Sequence, residues 1–223
     1  MGILITTLSL AIAATNPTGE SEDNSDLNLN LGQKYYISPA AAGSVGSWYF
    51  KPSIAINYID DINVPANFLD LGNLPFIIEF DKSTSLSLGF GFHITENVRL
   101  EFGYFESEND VKNSDLFGIG SNITLEQETI SIVALLDFDT GIAFTPYIGG
   151  GIAIMDSKLT YAGYSSPRSD DATPIFCVGF DWGLNGNMDF YAEYRISTPT
   201  YDLIPGSIDI DNGTLMFGLN WKF

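Results

Sequence analysis

The chain has 223 residues but only one cysteine, one histidine and nine basic side chains, and each scarcity excludes a class of protein. A single thiol, Cys177, builds neither a disulfide framework nor a cysteine-rich metal site. His93 is the only residue that could serve in a His-based catalytic pair. Nine Lys and Arg stand against 28 Asp and Glu, a formal charge of −19, so nothing is left to neutralise phosphates and no nucleic-acid partner is expected. Sustained helical periodicity is missing from Trp48 onward. The apolar run "ILITTLSLAIAA" at residues 3–14 is too short to cross a membrane as a helix.

That run has the length of a signal-peptide core, and Ala11-Ile12-Ala13 offers small residues for cleavage, so residues 1–14 read as an export signal whose basic start is missing. Residues 15–46 read as an acidic flexible segment: "TNPTGESEDNSD" is polar and rich in turn formers. Within it, "LNLNLGQKYYI" from Leu27 alternates like a short extra strand before "SPAAAGSVGS" breaks the pattern. Residues 47–223 form the main domain.

In that domain two-residue alternation recurs eight times. Trp48, Phe50, Ile54, Ile56 and Tyr58 lead the first stretch. In the second, Leu86, Leu88, Phe90, Phe92 and Ile94 share a face that stays apolar back through Phe80, Ile78 and Phe76, predicting a strand that projects well past a bilayer. The third carries Val98, Leu100, Phe102 and Tyr104, and the fourth Ile130, Ile132, Ala134, Leu136 and Phe138. The fifth shows Ile142, Phe144, Ile148, Ile152 and Ile154, the sixth Phe176, Val178, Phe180, Trp182 and Leu184, and the seventh Met188, Phe190, Ala192, Tyr194 and Ile196. The last, "GTLMFGLNWKF", sets Leu215, Phe217, Leu219, Trp221 and Phe223 on one side. "ITENV", "FDTGI" and "NGNM" supply tight turns, while the other connections, near residues 59–75, 106–122, 157–172 and 198–208, are long and polar. Short turns at one end and long loops at the other predict an all-β fold, an eight-stranded antiparallel up-and-down transmembrane β-barrel.

The charges decide which face is out. Positions opposite the apolar face include Lys51, Arg99, Glu101, Asp181, Asp189, Glu193, Arg195 and Lys222, too many charges for the dry interior of a soluble calyx. In the narrow centre of a transmembrane barrel they pair with one another while the aromatic and branched face meets lipid. Strand positions place six of them at one level, with Glu193 and Arg195 about one layer higher. Trp48, Tyr58, Tyr104, Tyr194 and Trp221 fall near strand ends, where interfacial girdles lie.

The alternation ending in Phe223, the strand "TPYIGGGIAI" at residues 145–154 and the opening "GSWYFKPSIAI" at residues 46–56 resemble outer-membrane β-barrel proteins of the OmpA-like, opacity and surface-antigen type. The resemblance covers residues 46–223 and implies a place in the cell outer membrane. It also implies that Leu219, Trp221 and Phe223 form a signal read by the barrel-assembly machinery. Its motifs are membrane and assembly features rather than chemistry.

Other candidates weigh less. His93 lies beside a tight turn and faces inward, and its neighbouring hydroxyl Thr95 does not match the His-x-Ser spacing of barrel deacylases, so no enzyme is expected. Asp60, Asp61, Asp70, Glu106, Glu108, Asp110, Asp115, Asp170, Asp171, Asp202, Asp209 and Asp211 concentrate at the long-loop end as a solvated acidic surface. Pairs such as Asp60 and Asp61 are of a type that bridges through divalent cations to anionic headgroups, but no stretch has the spacing of a calcium loop, and no metal or cofactor is expected. Gly149-Gly150-Gly151 lacks the Lys-Ser/Thr of a phosphate loop and reads as room for an inward aromatic such as Tyr147 or Tyr191. The expected role is structural, with acidic loops contacting the environment or a host. A small pore or hydrophobic-compound channel comes second and a lipid-modifying barrel enzyme third. Outer-membrane lipid, the assembly machinery and a surface ligand of the loops are the expected partners.

Overall fold

The computed structural model describes residues 44–64, 76–112, 123–161, 164–165, 169–203 and 206–223, all within the unit Tyr36–Phe223. The export-signal reading of residues 1–14, the Leu27 strand and nearly all of the acidic segment lie outside them, as do Asp70 and Asp115.

Eight long strands carry the architecture: β1 (Trp48–Ile59), β2 (Ser83–His93), β3 (Val98–Asp110), β4 (Ile123–Asp137), β5 (Phe144–Tyr161), β6 (Ser169–Asn185), β7 (Met188–Ser197) and β8 (Asn212–Lys222). Each pairs antiparallel with its sequence neighbours, and β1 pairs with β8, so the sheet closes on itself. Closure removes the sheet edges, which lets every strand bury or expose a whole face. Two short pairs, Ile62–Val64 with Phe76–Ile78 and Thr200–Leu203 with Gly206–Asp209, extend the long connections.

Short-range chemistry fixes the tight turns. Thr95 Oγ1 accepts the Val98 and Asn97 N–H groups. Asp139 Oδ1 accepts the N–H of Gly141, whose φ of 72° suits glycine. Asn185 Oδ1 accepts the Asn187 N–H.

Side-chain parity is constant around the wall. Odd residues of β1 to β7 and even residues of β8 point inward, so Tyr49, Ala55, Val133, Ala153, Tyr191 and Met216 are buried. The opposite face shows Leu86, Ile132, Ile152, Phe176, Val178 and Trp221 to the surroundings. A contiguous apolar belt of this size around a polar interior is tolerable only in lipid.

The strands run further into the long connections near residues 106–122 and 157–172 than the sequence reading gives them, β3 reaching Asp110, β5 reaching Tyr161 and β6 starting at Ser169, and two further boundaries differ. Ile142 lies in the turn before β5 rather than in the strand. The second strand does not run back to Phe76: β2 starts at Ser83, and Phe80 is buried and bridged to Val111. Seven residues lead from Phe80 to Ser87 but six from Phe105 to Val111, although both ends are paired. That extra residue is a bulge, and it switches the phase of the alternation so that an even-numbered Phe turns inward.

Candidate functional site

All eight interior charges expected from the alternation face the lumen, and the structure groups them in three sets. Lys51 Nζ lies 2.9 Å from both Glu101 Oε2 and Glu193 Oε2. Arg195 bridges the same two carboxylates, through Nη2 to Glu101 Oε1 at 2.5 Å and through Nε to Glu193 Oε1, while its Nη1 donates to Ser131 Oγ. Below them, Arg99 Nη2 reaches Asp181 Oδ2 at 2.7 Å and Asp137 Oδ1 at 3.0 Å, and Asn220 Nδ2 donates to Asp181 Oδ1 at 2.6 Å. Lys222 Nζ pairs with Asp189 Oδ2 at 2.6 Å. Lys51, Glu101 and Glu193 are each about 1% exposed. Charges this buried cost several kcal/mol each unless paired and hydrogen-bonded, roughly what the grouping provides.

The layering differs from the expectation. Lys51 and Glu101 belong with Glu193 and Arg195, not with Arg99 and Asp181. Strands tilt in a barrel and registers are sheared, so residues equally far from their strand ends do not share a height. Asp137 joins Arg99 although the sequence reading passed over it; its odd position on β4 was the available signal, masked by its nearness to the turn residue Asp139.

Tyrosines complete the filling. Tyr49 and Tyr147 hydroxyls donate to Glu101 and Glu193 at 3.2 and 2.8 Å. Lys51 Nζ sits 4.1 Å from the Tyr191 ring centre, and the Arg99 guanidinium 4.5 Å from that of Tyr147. Each ring lies over a glycine of the paired strand: Tyr49 opposite Gly91, Tyr147 opposite Gly179 and Tyr191 opposite Gly218. A Cβ at Gly91 or Gly179 would stand 2.4 or 2.6 Å from the ring it supports. The expectation that the triple glycine makes room for Tyr147 or Tyr191 is therefore not met. Gly149 accommodates Leu135 and Cys177, and Gly151 lets β5 approach β4, where a Cβ would lie 1.9 Å from the Ile132 carbonyl oxygen.

Beyond the charges toward the long-connection end, the lumen holds neutral polar groups. Asn57 Nδ2 donates to Thr214 Oγ1, Ser107 Oγ to Gln127 Oε1, and Asn212 Nδ2 to Gln127 Oε1 at 3.5 Å. An apolar layer follows, with Ile59, Phe80, Leu125 and Ile210 buried together.

His93 is buried near the tight turns, its Nδ1 3.1 Å from Ser47 Oγ. Leu219, Trp221 and Phe223 face outward, and Phe223 extends the closing ladder through hydrogen bonds with Trp48 in both directions. Asp60, Asp61, Glu106, Glu108, Asp110, Asp170, Asp209 and Asp211 are exposed, and Asp171 is half-buried, accepting the Thr200 N–H. Among the described residues no three His, Cys, Asp or Glu converge to hold one metal ion.

Residues 4–223 match the model of the family described as outer membrane protein beta-barrel domain. The solved outer membrane protein OprG of Pseudomonas aeruginosa is similar at a TM-score of 0.60 and 18% identity, covering 82% of this chain and 98% of that one. Neisserial surface protein A is similar at 0.58 and 19%, covering 79% and 97%. Ail, the attachment invasion locus protein of Yersinia pestis, is similar at 0.53 and 12%, covering 80% and 99%. At these identities the likeness is one of fold. No curated protein matches the chain. Closed eight-stranded architecture, an apolar exterior around a charged lumen and a family match over nearly the whole length meet in one conclusion: the chain belongs to the outer membrane protein β-barrel family and is a small barrel of the cell outer membrane.

Proposed function

We propose that this protein is a closed barrel whose work is done at its surface, with the acidic long-connection end presented outward to the environment or a host. The observation that carries this reading is the interior at the level of Lys51. One ammonium, two carboxylates, a guanidinium and the Tyr147 and Tyr191 rings share a space about one side chain wide. A pore would need that space for water. The apolar layer of Ile59, Phe80, Leu125 and Ile210 is a second obstruction further up.

Family architecture puts short turns on the periplasmic side and long loops outside. In that orientation His93 and Ser47 sit at the periplasmic end, away from outer-leaflet lipid, which favours a non-enzymatic role. Leu219, Trp221 and Phe223 are then the segment offered to the barrel-assembly machinery, and the belt around Ile132 and Ile152 is the surface wetted by lipid. The test is conductance in planar bilayers. The wild type passes no steady current, whereas Arg99→Ala combined with Glu101→Ala, which strips one member from each of the two main charge sets, raises it. A wild type with large, stable, ion-selective conductance would overturn the closed-barrel reading and put the pore first.

A further inference from the structure

Asp137, by joining Arg99, upsets the charge balance of the lumen. Among the described residues the set around Lys51 is neutral, with Lys51 and Arg195 against Glu101 and Glu193. Nearer the tight turns, Arg99 and Lys222 stand against Asp137, Asp181 and Asp189. Two cations against three carboxylates leave one negative charge in excess. The side chains of Asp181 and Asp189 are 6% and 2% exposed, so little water reaches that charge to stabilise it.

Asn220 connects the two. Its amide nitrogen is placed 2.6 Å from Asp181 Oδ1, and its own Oδ1, on a residue 1% exposed, has no hydrogen-bond partner. Asp189 stands directly opposite Asn220 across β7 and β8, and Asp189 Oδ1 is likewise buried without a partner. Buried acceptors are normally satisfied, and two orphaned oxygens on one cross-strand pair are short of a donor. Turning the amide by half a rotation exchanges its O and N and moves nothing else. Nδ2 is then available to Asp189, and Oδ1 faces Asp181. An ionised carboxylate offers that oxygen nothing, whereas a carboxylic acid donates its O–H. The 2.6 Å separation falls within the range of O–H···O bonds, about 2.5–3.0 Å, and just below that of N–H···O bonds, about 2.7–3.2 Å.

We propose that Asp181 is a buried proton-binding site, its un-ionised carboxyl donating to Asn220 Oδ1 while Asn220 Nδ2 donates to Asp189. One proton cancels the excess charge and supplies the missing donor. The other carboxylates are poorer hosts. Asp189 has Lys222 Nζ at 2.6 Å, and the Asp137 side chain, 10% exposed, is the most open of the three. Asp181 shares Arg99 with Asp137 and has an amide as its second partner. The charges acting on it are Arg99 from β3, Lys51 from β1, Asp189 from β7 and Asp137 from β4. Of these, Lys51 is already held by two carboxylates. Tyr191 and Thr145 stand opposite Asp181 on β7 and β5, and the rings of Tyr49 and Tyr147 lie over Arg99; all four are neutral. His93 on β2 stands directly opposite Arg99, where a second cation is repelled, so it does not remove the excess in place of Asp181.

The test is infrared spectroscopy of the full barrel folded in detergent micelles. The carbonyl band of one un-ionised carboxyl group is expected at neutral pH, and Asp181→Asn abolishes it. An amide at this position keeps a donor toward Asn220 and an oxygen toward Arg99, so the variant is at least as stable as the wild type at neutral pH. The unfolded chain ionises this aspartate at about pH 4, and above that pH folding takes up a proton. Raising the pH from about 5 toward neutral therefore lowers the wild-type folding equilibrium, relative to Asp181→Asn, by about tenfold per unit. Asn220→Leu removes the acceptor and shifts the band. Heat-modifiability on gels reports folding, and the wild-type and Asn220→Leu spectra decide the matter even if Asp181→Asn fails to fold. Absence of the band from the wild type, a band that survives Asp181→Asn or is unmoved in Asn220→Leu, or a pH dependence that His93→Gln removes and Asp181→Asn does not would overturn the proposal. Conductance enters none of these outcomes, so the closed-barrel reading stands or falls separately.

Discussion

Replacing Lys51 by Met isolates the worth of the central charge set. The substitution keeps an unbranched stem over the Tyr191 and Tyr147 rings and removes the ammonium that lies 2.9 Å from both Glu101 and Glu193. Two carboxylates, each about 1% exposed, then share Arg195 as their cation beside the Tyr49 and Tyr147 hydroxyls, and the set changes from neutral to singly negative. Removing one partner of a buried pair costs roughly 3–5 kcal/mol, because the remaining charge stays desolvated. Arg195 retains bonds to both carboxylates, which favours the lower end, about 3 kcal/mol. Against a guanidinium slope of about 3 kcal/mol/M, the unfolding midpoint falls by about 1 M. Unfolding in micelles followed by tryptophan fluorescence, with heat-modifiability as the folding check, measures the shift. Adding Glu193→Gln restores neutrality and recovers part of the loss, a coupling of about 1–3 kcal/mol. A cost below about 1 kcal/mol, as for an exposed pair, with no recovery in the double variant, would refute the view that these charges are a desolvated network.

Three further outcomes are expected. In a Cys177→Ala background, cysteines at Leu100, Ile132 and Phe190 label with lipid-soluble reagents while those at Ser87, Ser131 and Tyr191 do not; the reverse pattern would mean a soluble barrel with an apolar core. Gly151→Ala places a Cβ against the Ile132 carbonyl and costs about 1–3 kcal/mol, whereas Gly150→Ala, which faces outward with its nearest neighbour at 3.6 Å, is close to neutral in the same unfolding assay. Phe223→Asp reduces the amount of heat-modifiable folded barrel recovered from the outer membrane, and unchanged recovery would remove the assembly role given to that residue.

The sequence by itself determined the strand count, the closure and the facing. A period of two leaves each residue only two directions, and a charge such as Glu193 flanked by Ala192 and Tyr194 can lie only on the side away from lipid. The tight turns were legible for a local reason as well, since Thr95, Asp139 and Asn185 cap their own backbones within three residues. Height along the barrel axis was not legible. It depends on the shear between strands, a property of the closed sheet, so which charge meets which, and that Asp137 joins Arg99, emerged only in three dimensions. The bulge before Ser83 was hidden for a related reason. Phe80, Ile78 and Phe76 keep perfect alternation in sequence, and the extra residue shows only when β2 is counted against the pairing of β3. A mismatch of this kind belongs to two strands together, and alternation within either one carries no trace of it.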